Sequence, residues 1–415
     1  MKGFLSTNDK VHCCGCESCK QVCAHDAITM VEDEEGFRYP KIDKSKCVNC
    51  GLCKLVCSYE SEIKKHSEEK YVFGGYHKSI DVRDKSTSGG AFTAIVEAFC
   101  DDNYVIFGAK SEGLNVYHDY VESKNEIDAF RKSKYSQSNM QESYKQVKEF
   151  LQKGKKVLFS GTPCQISALE KFLMKTDRKN LLTVEVVCEG VPSPHYVKKL
   201  DDYFNKKYNS RIKSLDYRYK KTKKFFKTVY GHWDFQVMSI VLNNGKHLKK
   251  DRWFNPFWKL WLEHLMSRPS CYECLFATSD RCADITLGDL WGVHLYCPEL
   301  YGDNLGCSLV IGNSDKGKSI IKNAEKFMFG HKLDFNTALK YQSPMRKTIN
   351  TNEKREDFLK DLCDERMTYK KIVKKWYKKP SLKLLWSKYI WGNRQKICFW
   401  NLKNRKRGIK NGESN

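Results

Sequence analysis

Nowhere in this sequence do 18 apolar residues run together, so no segment reads as a membrane-spanning helix. The opening MKGFLSTNDK has no apolar signal segment. With 19 cysteines in the chain, that points to a reducing compartment rather than to a disulfide-bonded secreted protein. No G-x-G-x-x-G occurs, which removes the Rossmann dinucleotide fingerprint. Acidic residues are missing from Arg366 to Asn411, where 16 Lys and Arg fall. That tail supplies two-thirds of the net charge of +24 (16 of 24), and the remainder of the chain is only mildly basic. The basic NRKRGIK run, Asn404 to Lys410, has no nucleic-acid fold beside it, so no nucleic-acid partner is expected.

What is there begins with the cysteines. Cys13-x2-Cys16-x2-Cys19-x3-Cys23 recurs as Cys47-x2-Cys50-x2-Cys53-x3-Cys57, each cysteine 34 positions on. Three closely spaced thiolates wrap three corners of a cubane, and a distant fourth closes it. This is the spacing of bacterial two-cluster ferredoxins, whose fourth cysteine serves the other cluster. It predicts one [4Fe-4S] cluster on Cys13, Cys16, Cys19 and Cys57, and another on Cys47, Cys50, Cys53 and Cys23. Zinc sites pair two Cys-x2-Cys knuckles and need no third cysteine two residues on. Ala24 and Ser58 stand where proline is usual after the fourth cysteine. Cys14 is extra, and is expected to point elsewhere as a bystander.

Between the runs, Ala27 to Tyr39 alternates and turns at Glu-Glu-Gly, a small hairpin. Beyond a polar linker, STSGGAFTA (Ser86 to Ala94) places a Ser/Gly turn before a helix, a cradle suited to an anion or phosphate. Tyr104 to Ala109, Lys155 to Thr162 and Leu181 to Val187 read as strands, with helices between them. Strand, helix, strand of this length implies a right-handed crossover and a parallel sheet. Cys164 and Cys188 then lie just past the carboxyl ends of strands, where open sheets bind ligands. Val237 to Leu242 with Asn243-Asn244-Gly245 reads as a strand and hairpin turn. Further on, Cys271-x2-Cys274 forms a knuckle, with Cys282, Cys297 and Cys307 more loosely placed.

The stretches SGTPCQ (Ser160 to Gln165), VVCEGVPSP (Val186 to Pro194), STSGG (Ser86 to Gly90) and RPSCYEC…DITLGDLWG (Arg268 to Gly292) resemble the coenzyme F420 hydrogenase/dehydrogenase β-subunit family. The resemblance covers about residues 71 to 330. With the N-terminal cysteine repeat it is similar to the bacterial branch found in polysaccharide-biosynthesis settings. It implies an α+β chain: a two-cluster ferredoxin-type domain (1–65), a mixed α/β flavoprotein domain with parallel-strand units in two parts (66–153 and 154–335), and a basic helical tail (336–415). It also implies a third [4Fe-4S] cluster, for which Cys164, Cys188, Cys271 and Cys274 are the ligands, and a bound FAD. Zinc on Cys271, Cys274 and Cys282, or no metal, is the alternative; Cys282 stands where relatives have a small non-ligand. Glu189 stands where relatives carry histidine, which swaps a possible proton donor for a carboxylate at that position. For the flavin the candidates are Ser88, Gly89, Gly90 and Thr93 at the pyrophosphate, with Lys134, Tyr135 and Ser136 lining it. Thr162 and Pro163 would lie between flavin and cluster. Asp289, His195 and Arg218 are candidates for contacts to ribose or an anionic substrate.

The tail holds two amphipathic repeats: Tyr369, Ile372, Val373, Trp376 and Tyr377, then Leu382, Leu385, Trp386, Tyr389 and Ile390. Lysines oppose both, a profile shared by interfacial membrane helices and by helices packed on their own protein. The expected protein is a cytoplasmic iron–sulfur flavoprotein, with peripheral contact to the inner membrane face on the first of those readings. It would pass electrons from a soluble donor such as ferredoxin to an organic substrate or hydride carrier. The competing reading is an electron-transfer subunit that feeds a partner enzyme; a colourless zinc scaffold is the third.

Overall fold

Alternation and a tight turn build the first element. In the computed structural model, which describes residues 2–66, 69–220, 236–301, 305–386 and 402, β1 (Ile28–Glu32) pairs antiparallel with β2 (Arg38–Ile42). Asp33 Oδ1 accepts from the amides of Glu35 and Phe37, and Gly36 supplies the left-handed residue at φ +82°. Each cysteine run contributes one helical turn, Ser18–Gln21 and Leu52–Leu55.

The body is built on one eight-stranded sheet. Its strands are β3 (Tyr71–His77), β4 (Tyr104–Glu112), β5 (Asn115–Val121), β6 (Lys156–Gly161), β7 (Leu181–Val186), β11 (Ile285–Asp289), β12 (Ser308–Gly312) and β13 (Met328–Lys332). They lie in the order β13-β3-β12-β11-β7-β6-β4-β5. The four central strands, β4, β6, β7 and β11, run parallel, and the flanking pairs are antiparallel. A smaller antiparallel sheet holds β8 (Ile212–Asp216), β9 (Met238–Leu242) and β10 (His247–Lys250). The chain is thus a mixed α/β body with a ferredoxin-like N-terminal unit. Because β4 pairs with β6, the stretches before and after residue 153 share one sheet.

Alternating side chains send Ile106, Leu158, Leu182 and Ile285 to one face, under α1 (Ala91–Phe99) and, later in the chain, Asp315–Ala324. Phe107, Val157, Phe159 and Leu181 go to the other, under α2 (Ser143–Gln152) and α3 (Pro163–Leu173). A separate core gathers α4 (Pro194–Tyr208), α5 (Pro256–Leu262), the small sheet, α6 (Arg355–Cys363) and α7 (Tyr369–Trp376).

The last of these decides half the question about the tail. Ile372 is fully buried, Tyr369 stacks on Tyr203, and the Trp376 indole donates to Asp361 at 2.6 Å. The apolar face of α7 therefore packs on the body and cannot also lie in a membrane. Leu382 and Trp386 of the second repeat are exposed, while Tyr389 and Ile390 fall outside the described residues. Among the described residues no helix is long and apolar enough to cross a membrane.

Candidate functional site

Cys13, Cys16, Cys19 and Cys57 all line one cavity in the N-terminal unit. Burial raises the thiols of Cys19 and Cys57, and the charges of the other cysteines in the set raise them further. Cys53 is raised by burial and then by Cys47 and Cys50, its neighbours in the second run. Cys23, their proposed fourth, accepts the amide of Ala27 at 3.4 Å.

The third set is assembled by the sheet. Thr162 caps α3 with a reciprocal capping box: its side chain takes an amide of the first turn while Gln165 Oε1 accepts its own amide at 2.9 Å. Pro163 occupies the first helical position, and Cys164 follows in that turn. Cys188 lies two residues past β7, and Cys271 sits on the short helix Pro269–Tyr272. The four thiols face one another. Cys188 is raised by burial and then by Cys271 and Cys164; Cys271 is pushed up to about 12 by burial and then by Cys274; Cys274 is raised by burial and, among charges, chiefly by Cys164. No three of these sulfurs lie within 4.8 Å of one another, which is too wide for a single tetrahedral ion and leaves room for a cubane. Cys282 does not join them: it is buried in the core under α2 and α3.

Two residues that the sequence reading passed over sit between the first and third sets. Cys14 lines the same cavity as the first set, and its thiol is raised by Cys16 and Cys164 and then by burial, so it lies between the two sets rather than pointing away from them. Arg268, almost fully buried, donates from Nε to the Cys13 carbonyl at 2.8 Å, from Nη1 to Gln137 at 2.8 Å, and from Nη2 to the Arg38 carbonyl at 3.0 Å. Its Nη2 is 3.6 Å from Cys13 Sγ. Burial opposes its charge, but Cys13, Tyr39, Cys14 and Cys271 outweigh that and hold it protonated. Gln137 in turn donates to the carbonyls of Cys14 and Gly15. A Cβ on Gly15 would come within 2.4 Å of Gln137 and 2.9 Å of Arg268, and its φ of +68° asks for glycine as well. The available signal was an arginine three residues before a Cys-x2-Cys knuckle.

The cysteine unit is clamped to the body elsewhere too. Ser58, where proline was expected, hydrogen-bonds Ser167 on α3 at 2.9 Å. Glu35 is held by Arg355 at 2.7 Å. His195 packs on the hairpin turn at Gly36, so it serves this seam rather than the cleft.

A buried polar group lies near Glu189, the neighbour of Cys188. Arg218 pairs with Asp289 at 3.0 Å, reaches the Tyr135 hydroxyl at 3.4 Å, and lies over the Trp291 ring. Burial opposes the charge of Arg218, and Asp289 more than restores it. Asp289 Oδ1 is buried with no hydrogen bond among the described residues. Burial raises Glu189, countered by Arg252. Tyr135 is wedged edge-on between Tyr217, Trp258 and Trp261, and Ser136 reaches the Tyr217 hydroxyl at 3.4 Å. Burial pulls Lys134 and Lys220 each down to about 7.

The Ser/Gly turn is less open than its sequence suggests. Ser88 donates to the Cys307 carbonyl at 2.6 Å, and the Gly89 amide donates to Ser308 at 3.0 Å. A Cβ on Gly89 would meet backbone at 2.7 Å, so this glycine is needed for close packing on β3 and β12. Thr93 accepts from Arg131. What the turn still offers an anion is the N-terminus of α1 at Gly90, with Arg131 behind it.

Residues 154–329 match the family described as the C terminus of the coenzyme F420 hydrogenase/dehydrogenase beta subunit, and residues 12–61 match a 4Fe-4S dicluster domain. Over residues 154–329 the chain is similar to that β-subunit family. The β-subunit region holds Cys164, Cys188, Cys271 and Cys274, together with Arg218, Arg268 and Asp289. Ser88 to Ser136 lie outside both matched regions. No curated protein matches the chain. Among solved structures it is similar to a chain of the F420-reducing [NiFe] hydrogenase complex from Methanosarcina barkeri, at 17% identity and a TM-score of 0.42, over 75% of this chain and 93% of that one. With the dicluster domain beside the β-subunit region, this is an iron–sulfur protein of the electron-transfer kind.

Proposed function

We propose that the chain is a flavin-dependent oxidoreductase in which electrons enter at the N-terminal cysteine sets, cross to the set on Cys164, Cys188, Cys271 and Cys274, and leave to an organic substrate in the cleft at Arg218 and Asp289. The observation that carries this reading is the junction: buried Arg268 bonds the Cys13 carbonyl and is held charged by Cys13 and Cys271, while Cys14 is acted on by both Cys16 and Cys164. Such packing has no purpose in two independent structural metal sites. Clusters bound there would supply one-electron steps, and a flavin would convert them to hydride chemistry.

The chain's own residues divide the work. Arg268, held charged in the seam, donates toward Cys13 Sγ and so would favour added electron density there. Arg218, fixed by Asp289, presents a buried cation suited to a carboxylate or phosphate on the substrate. Glu189, raised by burial, is placed to hold a proton beside Cys188. The N-terminus of α1 and Arg131 are the pyrophosphate site. On the outer side Cys50 is exposed, with Val48, Leu52 and Leu55 exposed around it and Lys44, Lys46 and Lys54 at the rim. That face suits an acidic one-electron donor such as a ferredoxin.

One observation favours the second reading, an electron relay to a partner enzyme: the polar groups of Ser88 and Gly89 are already committed to Cys307 and Ser308. Iron, sulfide and flavin per chain after anaerobic purification separate the two. The oxidoreductase predicts about twelve iron atoms with bound flavin, and about eight in Cys164→Ala. Twelve iron without flavin supports the relay. Eight in both proteins overturns the route through the third set.

A further inference from the structure

A cluster of metal-ligating side chains that shares no residue with the cysteine sets lies at the β13 edge of the sheet. Cys297 ends the short helix Val293–Tyr296, Glu299 lies in the turn Pro298–Tyr301, and His331 stands on the edge strand β13. Cys297 Sγ is 3.0 Å from His331 Nε2 and 3.4 Å from Glu299 Oε1, and those two are 3.2 Å apart. Tetrahedral zinc, with bonds of about 2.3 Å to sulfur and 2.0–2.2 Å to nitrogen and oxygen, sets its donors roughly 3.3–3.6 Å apart. The three atoms need to move only a few tenths of an ångström to take it.

The donors are also held. Cys297 is buried, and its amide donates to the Val293 carbonyl at 2.7 Å. His331 is in register with Gly74 of β3, and a Cβ on the neighbouring Gly330 would meet the Gly74 carbonyl at 2.2 Å, so the strands are locked close. The ligands are thus preset by the fold, as a metal site requires. The imidazole and carboxylate are half exposed, which leaves a path for the ion and room for a fourth, solvent ligand.

We propose that Cys297, Glu299 and His331 bind one zinc ion, with water in the fourth position. One thiolate with one imidazole and one carboxylate is a donor set for zinc rather than for calcium, magnesium or an iron–sulfur cubane. The ion ties the segment after β11, which carries Trp291 beneath Arg218, to the sheet edge at β13. The site rests on no part of the oxidoreductase reading, since none of its ligands belongs to the three cysteine sets.

The test is elemental analysis and zinc K-edge absorption on full-length protein purified anaerobically from zinc-supplemented culture. The expected result is about one zinc per chain, with one sulfur near 2.3 Å and nitrogen or oxygen near 2.0 Å. Cys297→Ala and the more exposed His331→Ala should each lose zinc by about tenfold or more while iron per chain stays unchanged; outer-sphere partners alone are worth that much. Unchanged iron shows that the variants are folded. Absence of zinc from the natural chain, a shell of four sulfurs, or zinc retained in both variants would each overturn the site. The four-sulfur result would place zinc in a cysteine set instead, and would count against the iron–sulfur reading there.

Discussion

Arg268 shows how much one side chain can hold. It closes the seam between the cysteine unit and the body by bonding two carbonyls and one amide oxygen, all part-buried. Removing it orphans those acceptors, so Arg268→Ala should cost about 3–5 kcal/mol, read from the chemical denaturation midpoint. Arg268→Lys, which keeps the charge but loses the fork, should recover only part. A cost under about 1 kcal/mol for the alanine variant would show that the seam does not depend on it. His118 gives a pH test. Buried between Ser138 and the Ser160 carbonyl, it is pulled down to about 4 by burial. Above pH 6.5 neither folded nor unfolded histidine is charged. As pH falls, the unfolded chain takes a proton that the folded one refuses, so stability drops between about 6.5 and 4 by on the order of 3 kcal/mol. His118→Asn should be less stable at neutral pH yet lose less on acidification across that window. Parallel curves for the two proteins would exclude His118 as the group responsible.

At the scale of elements, α3 shows local sequence and packing in agreement. Thr162, Pro163 and Gln165 make a capped start, and the same turn presents Cys164 to the third set while Ser167 receives Ser58 from the cysteine unit. The STSGG turn before α1 shows the opposite. Its sequence promised a phosphate cradle, but β12, more than 200 residues later, takes up Ser88 and Gly89. The tail divides in the same way. Two repeats with one hydrophobic spacing have different fates among the described residues, because only α7 lies against α4 and α6. Ile372→Ala should therefore cost about 2–5 kcal/mol in thermal or denaturant unfolding. Leu382→Ala, on an exposed side chain, should stay within about 0.5 kcal/mol. Equal effects would contradict the packing of α7.

Over the whole molecule, the proposed route from exposed Cys50 to the buried pair of Arg218 and Asp289 would join elements from across the described chain. Its middle section is decided by residues 255 positions apart meeting in one seam. If the third set holds a cluster, Cys164→Ala should lower iron by about four atoms per chain while leaving the dicluster domain loaded, as read by iron analysis and the visible absorption band. Loss of all iron would mean that Cys164 holds the seam together rather than one cluster.

The order of residues alone specified the ligand chemistry of the first two sets, because cluster ligation within one short unit is a matter of spacing along the chain. It specified the hairpin between them and the four central strands in part, since β4, β6 and β7 are continuous apolar runs bounded by turns. Strands β11, β12 and β13 went unread; each is only five residues long, and β12 and β13 lie outside the motifs. What lies between the sets came from long-range packing. Cys14, Arg268, Gln137 and Gly15 acquire their roles from neighbours more than 100 residues away, and no periodicity encodes a contact of that span. The meeting of Cys297 and Glu299 with His331 is of the same kind: the edge pairing of β13 with β3 brings the histidine within reach.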